Sequence, residues 1–363
     1  MEYANYFEKI KASEKILTKF VYKDENKIIN NYLRNNTYIN YKMISISKIF
    51  IWNFIVTIIL LNNNKILCES YIILKINKSG RYKILFNGDA KDTESNCYNY
   101  PKQKPTSILI NENSIDPSTV YYEFTQRENT IKLYFEENKN TFQCLFYGCS
   151  AISEIDASHL NTSNVTSMSG MFSHCTSLKS INLQNIDTSK VKYMNELFHY
   201  CSSLASLDIS SFNTNNCLRM RKMFSFCSSL TSLNVSHFKT PLLLDLAYTF
   251  EGCSKLTSLN VSNFDTRNVI YMDKIFAHCS SLTSIDVSNF ITSKNTWTAY
   301  MFEGCSLITS LDLSNFDTSS VVNFQGMFLL CSSLIELNLS NFNTEKALYM
   351  FRMFENCNTL IKD

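Results

Sequence analysis

A single cysteine sets the ruler of this chain. Aligned on Phe-x-x-Cys, cysteines stand at 149, 175, 201, 227, 253, 279, 305, 331 and 357, a step of 26 residues with no insertion or deletion. A constant period of this length predicts a stacked array, because a unit so short cannot bury its own apolar face and must be covered by its neighbours. The period lies in the window of roughly 20–29 residues that marks leucine-rich repeats.

The content of each copy gives the same expectation. Three residues after the cysteine comes an aliphatic, as at Leu178, Leu204, Leu230 and Leu282, and three further Ile181, Leu207, Leu233 and Ile285. Two beyond that stand Leu183, Ile209, Val235 and Val287, so the phrase reads LxxLxL, an alternation that predicts a short strand stacked in parallel on its neighbours. Phenylalanine follows at 212, 238, 264, 290, 316 and 342, then threonine in all eight full copies from Thr162 to Thr344. The phrase Asp-Thr-Ser before an apolar run predicts a helix start. The run Val165, Met168, Met171, Phe172, Cys175 has offsets that place it on one helical face. The predicted fold class is therefore α/β, a leucine-rich-repeat solenoid with a parallel β-sheet and short helices, over about residues 142–363 in eight to nine repeats.

The phrases "CSSLTSLNVSHFKT" and "MFEGCSLITSLDLSNFDTSSVVNF" resemble the BspA-like leucine-rich-repeat surface proteins, and more closely their mycoplasma-type subfamily with its hallmark "MFxxCSSLxSLDLSNFDTSxVxxM". The resemblance implies a non-enzymatic, secreted or surface-displayed protein used for adhesion and for host or cell interaction. It brings no catalytic residues. Leu242–Asp245 and Lys294–Thr298 depart from the Val-x-x-Met pattern, and the chain stops mid-repeat at "CNTLIKD". Self-association through that uncapped C-terminal repeat is one expectation.

Three stretches precede the array. Residues 1–42 are a polar extension, with Phe7, Ile10, Leu17 and Val21 at helical spacing. Residues 43–68 read as a secretory signal: Lys48 precedes an apolar core, Ile49–Leu61, of signal-peptide rather than membrane-spanning length. A signal anchor over 43–61 and a buried segment of a cytosolic protein are the alternatives. Residues 69–141 read as a small antiparallel β-module capping the array, with "YIILKIN" and "RYKILF" as a hairpin about Lys-Ser-Gly, then strands at "SILIN", "VYYEF" and "TIKLYF".

Composition narrows the function. The formal charge is +2, from 34 basic and 32 acidic residues, which gives no footprint for nucleic acid. Glycine occurs 7 times, and neither GxxxxGK nor GxGxxG is present, against a phosphate-cradling loop or a nucleotide cofactor. The histidines, His159, His174, His199, His237 and His278, form no HExxH and no Cys/His metal pattern, and there is no GxSxG. No catalytic residue, cofactor or metal is expected. The ladder cysteines are expected to be buried, reduced core filler; disulfides in an oxidising compartment are the alternative. Seven N-x-S/T sequons occur, at Asn35, Asn77, Asn161, Asn164, Asn234, Asn260 and Asn338, and several of them come with the strand phrase.

Variation between copies is concentrated after the threonine. One position reads Ser167, Tyr193, Arg219, Asp245, Tyr271, Trp297, Asn323, Tyr349, and another Gly170, Glu196, Lys222, Tyr248, Lys274, Tyr300, Gly326, Arg352. Tyrosine, tryptophan and arginine are the types enriched at binding hot spots. The candidate partner-binding face is thus Tyr193, Arg219, Tyr248, Tyr271, Trp297, Tyr300 and Tyr349, on the predicted helical side. Its expected partner is a protein or glycan on another cell or host surface, and the expected function is adhesion by a secreted or cell-surface protein. An intracellular repeat scaffold and a self-associating coat protein are the competing classes; removal of the signal at Met43 would exclude the scaffold.

Overall fold

The computed structural model describes residues 70–85, 97 and 104–360. The predicted N-terminal extension, the signal or anchor at 43–68 and the Asn35 sequon lie outside the described residues. Among the described residues no helix is long and apolar enough to cross a membrane.

Six strands precede the repeats: β1 (Ser70–Ile76), β2 (Gly80–Lys83), β3 (Ser107–Ile110), β4 (Asn113–Ile115), β5 (Tyr121–Phe124) and β6 (Asn129–Phe135). The repeats contribute β7 (Glu154–Asp156), β8 (Ser180–Asn182), β9 (Ser310–Asp312) and β10 (Glu336–Asn338). The largest sheet has the order β4-β3-β6-β1-β7-β8. β1 runs antiparallel to β6, pairing Ser70 with Phe135 and Ile76 with Asn129, and antiparallel to β7, pairing Leu74 with Ile155. Alternate β1 side chains, Ile72, Leu74 and Ile76, are fully buried. The expected hairpin between the first two apolar segments is not formed, because β1 has β6 and β7 on its two edges while β2 pairs with β5. Through β1 the leading strands hydrogen-bond onto the first repeat and close that end of the stack. Cys97 and Cys144 form a disulfide, with Cα atoms 5.8 Å apart.

The predicted α/β leucine-rich-repeat solenoid is corrected on two counts. No α-helix occurs among the described residues, and the largest sheet is mostly antiparallel. Parallel strand pairing is confined to β7 with β8 and β9 with β10; the LxxLxL segments between β8 and β9 form no strands. Their side chains still alternate as expected, with Leu207, Ile209, Leu233 and Val235 buried.

The segment expected to be helical is a run of stacked turns. Met168, Gly170, Phe172 and His174 each donate their N–H to a carbonyl 25 residues on, those of Tyr193, Asn195, Leu197 and His199. Between them Met171, Ser173 and Cys175 close turns onto Met168, Gly170 and Phe172, three residues back. The same weave recurs along the array. An α-helix would spend every one of these N–H groups on the carbonyl four residues back. Here half of them tie one repeat to the next instead. Two residues per repeat adopt positive φ, four positions apart, as at Glu196 and Tyr200 or Lys222 and Phe226, which no continuous right-handed helix tolerates.

The threonine expected to cap a helix has another duty. Thr240 is fully buried, and its Oγ1 accepts the Asp265 N–H at 2.8 Å while donating to the Asp265 carbonyl at 3.0 Å. Thr188, Thr214, Thr266 and Thr318 bond the residue 25 positions on in the same two-way fashion, and Thr292 donates to the Asp317 carbonyl. Each hydroxyl is a rung between repeats.

Two further ladders fill the core. The phenylalanine rings from Phe146 to Phe354 stack on their successors with centroids 5.5–6.0 Å apart. The cysteine thiols point at the phenylalanine carbonyl 29 residues earlier, as Cys227 does to Phe198 at 3.1 Å. From Cys149 to Cys331 they are free and buried, and burial pushes the Cys253 thiol up to about 12.

Candidate functional site

The turn weave dictates which side chains face outward. The position Tyr193, Arg219, Asp245, Tyr271, Trp297, Asn323 and Tyr349 forms an unbroken row of parallel bridges, each residue paired with the one 26 later. The second variable position, Glu196, Lys222, Tyr248, Lys274, Tyr300 and Arg352, is the first left-handed residue of each turn run. So the two positions chosen for variability lie on one lateral face of the stack, built of turns where a helix was expected.

Tyr248, Tyr271, Trp297 and Tyr300 line one groove of about 390 Å³, together with Arg221, Asp273, Lys274, Ala299, Asn323 and Gln325. Tyr193, Arg219 and Tyr349 are exposed members of the bridge row outside it. Backbone rungs fix the lining: Tyr248, Lys274 and Tyr300 donate their N–H groups to the carbonyls of Asp273, Ala299 and Gln325. Tyr271 and Trp297 are 43% and 42% exposed, which leaves open aromatic surface at the mouth. Tyr300 is turned over Gly326, where any Cβ would collide with its ring. Its hydroxyl accepts a hydrogen bond from Gln325 Nε2.

The charges in the groove are largely spoken for. The Arg221 guanidinium lies 4.5 Å from the Tyr248 ring centroid and 3.8 Å from Asp245. Lys274 Nζ sits between Glu251 at 3.6 Å and Glu303 at 3.9 Å, and 5.8 and 5.2 Å from the Tyr248 and Tyr300 centroids. Asp273 differs. It is 9% exposed, and its Oδ1 is buried with no hydrogen-bond partner. Burial raises its carboxyl to about 6, against the opposing pull of Arg221.

Arg221, Asp273, Ala299 and Gln325 were missed by the sequence reading. They occupy a third variable position, Ser169, Asn195, Arg221, Ala247, Asp273, Ala299, Gln325, Phe351, two residues after the bridge row. Copy-to-copy variation, the criterion already applied to its neighbours, would have found them. Among the described residues no group of three or more His, Cys, Asp or Glu side chains is placed to hold a metal ion.

The profile of a family described as Mycoplasma protein of unknown function, DUF285, matches residues 140–258, 227–312 and 306–363. No curated protein and no solved structure matches the chain.

Proposed function

The chain belongs to the DUF285 family of Mycoplasma proteins of unknown function, and we propose that it is a non-enzymatic binding protein, displayed or secreted outside the cell, whose lateral groove attaches it to another cell. The observation that carries this reading is the gathering of Tyr248, Tyr271, Trp297 and Tyr300 around one groove on a scaffold whose Phe, Cys, Leu and Thr ladder positions recur from copy to copy. Exposed aromatics on a rigid frame supply contact area at little entropic cost. The finer kinship with the BspA-like surface proteins, read on the "MFEGCSLITSLDLSNFDTS" phrase, is part of the same proposal, and so is a ligand on another cell or host surface. The Cys97–Cys144 disulfide supports an oxidising compartment.

The test is binding of the fluorescently labelled full chain to cultured epithelial cells, compared with a Tyr271→Ala, Trp297→Ala, Tyr300→Ala triple variant. Saturable binding of the parent and its loss in the folded variant are expected. Equal binding by the two proteins would move the function off this groove.

A further inference from the structure

What the groove leaves unsatisfied identifies the chemistry of its occupant. An anion would have to displace Asp245 from Arg221 or Glu251 and Glu303 from Lys274, carboxylates that already hold those cations at 3.6–3.9 Å. A ligand cation fares no better. It would share the groove with the Arg221 guanidinium and the Lys274 ammonium, two like charges against the single Asp273 carboxylate of the lining. The site therefore favours a neutral molecule.

Two kinds of group remain for that molecule to touch. Tyr271 and Trp297, on successive repeats of the bridge row, present open ring surface. Behind them lies the Asp273 carboxylate, nine-tenths buried with Oδ1 lacking any hydrogen-bond partner. A buried acceptor left unmade is costly, and a rotation of the Asp273 side chain that brings this oxygen to a ligand donor recovers the cost. Planar amides from Asn323 and Gln325 complete the rim. Flat apolar surface beside a carboxylate with one unpartnered oxygen and amides matches one ligand class closely. A sugar ring has an apolar C–H face for an aromatic platform and hydroxyls that donate to carboxylates and exchange hydrogen bonds with amides. At about 390 Å³ the groove lies at the small end of the roughly 300–1,000 Å³ range of small-ligand sites, suited to a terminal sugar more than to a long polymer.

We infer that the groove lined by Tyr271, Trp297 and Asp273 binds a neutral saccharide at the end of a cell-surface glycan. This deepens the attachment reading and rests on it.

Trp297 provides the signal. The chain has two tryptophans, so a Trp52→Phe background makes Trp297 the sole indole. Its emission is titrated in the full chain with neutral oligosaccharides ending in glucose, galactose, N-acetylglucosamine or mannose, and with choline and inorganic phosphate. A saturable change with at least one saccharide is expected, with Kd raised about tenfold or more by Tyr271→Ala and by Asp273→Asn. A silent saccharide panel, or a response to choline or phosphate alone, would overturn the inference. A saccharide response indifferent to both substitutions would overturn it too. Periodate oxidation of the cell glycans separates the two proposals. If cell binding survives it, the saccharide inference falls and attachment stands; if the untreated cells bind nothing, both fall.

Discussion

At position 295 the array departs from its own rule. The neighbouring repeats place Val269 and Val321 there, fully buried, while Asn295 is equally buried and both its side-chain Oδ1 and Nδ2 lack a hydrogen-bond partner. Its backbone is unremarkable, since the Asn295 N–H bonds the Thr292 carbonyl as Val269 bonds Thr266 and Val321 bonds Thr318. Asn295→Val is therefore expected to raise the unfolding free energy by about 1–3 kcal/mol, the usual cost of burying unsatisfied polar groups. Thr240→Val should have the opposite sign and a similar size, because it deletes a hydroxyl bonded to both the N–H and the carbonyl of Asp265. Urea denaturation of the two variants checks both signs, and a destabilised Asn295→Val would refute the account of that site. The residue scale was also where the sequence was most legible. The Phe-x-x-Cys ladder and the LxxLxL alternation announced the core by their period. The departure at Lys294–Thr298 was visible, but its buried, unpartnered amide depends on stacking against neighbours that only the fold supplies.

The element scale shows why a helix was expected and not formed. Val-x-x-Met-x-x-Met-Phe-x-x-Cys has a spacing near three, and turns closed three residues back reproduce that spacing as well as a helix does. What separates the two is the destination of the remaining N–H groups. Apolar spacing within one copy carries no information about hydrogen bonds made to the next. The left-handed positions were hidden because most of them are not glycine; Lys222 has φ +58° and Lys274 +53°. A side chain other than glycine costs roughly 1–2 kcal/mol there, partly offset by the unfolded-state entropy that glycine adds. Lys222→Gly is accordingly expected to stabilise the chain by about 0.5–1 kcal/mol. Gly252→Ala should destabilise it by about 1–2 kcal/mol or more, since Gly252 has φ +70° and an added Cβ would fall 2.6 Å from the Phe226 ring. Chemical denaturation reads both. A destabilising Lys222→Gly would mean that the lysine's contact near Tyr248, 5.7 Å from its centroid, outweighs the backbone term. The candidate site was half legible for a related reason: variation picked out the aromatic rows, but not that a third row, carrying Asp273, folds in behind them.

At the scale of the molecule, each of the main ladders between repeats spans a fixed interval: 26 residues for the bridge row, 25 for the threonine rungs and 29 for the cysteine thiols. Such an array interacts only with its nearest neighbours, so its stability should be close to a sum of repeat and interface contributions. Removing one whole period then rewrites no contact type. Deleting residues 177–202 joins Thr176 to Ser203 and leaves every groove residue, from Arg221 to Gln325, downstream and in register. The shortened chain is expected to unfold cooperatively with Tm lower by only about 2–4 °C, and to hold a saccharide ligand within about twofold of the parent. Deleting residues 177–189, half a period, sets turn residues against strand residues at the junction. It puts polar side chains where Phe, Cys and Leu should stack, and cooperative unfolding should be lost. Differential scanning calorimetry of the pair decides the matter. If both deletions collapse alike, the repeats are not interchangeable units and the fold depends on features particular to each copy; if only the half-period deletion does, the 26-residue step that first drew attention in the sequence is the physical unit of the molecule.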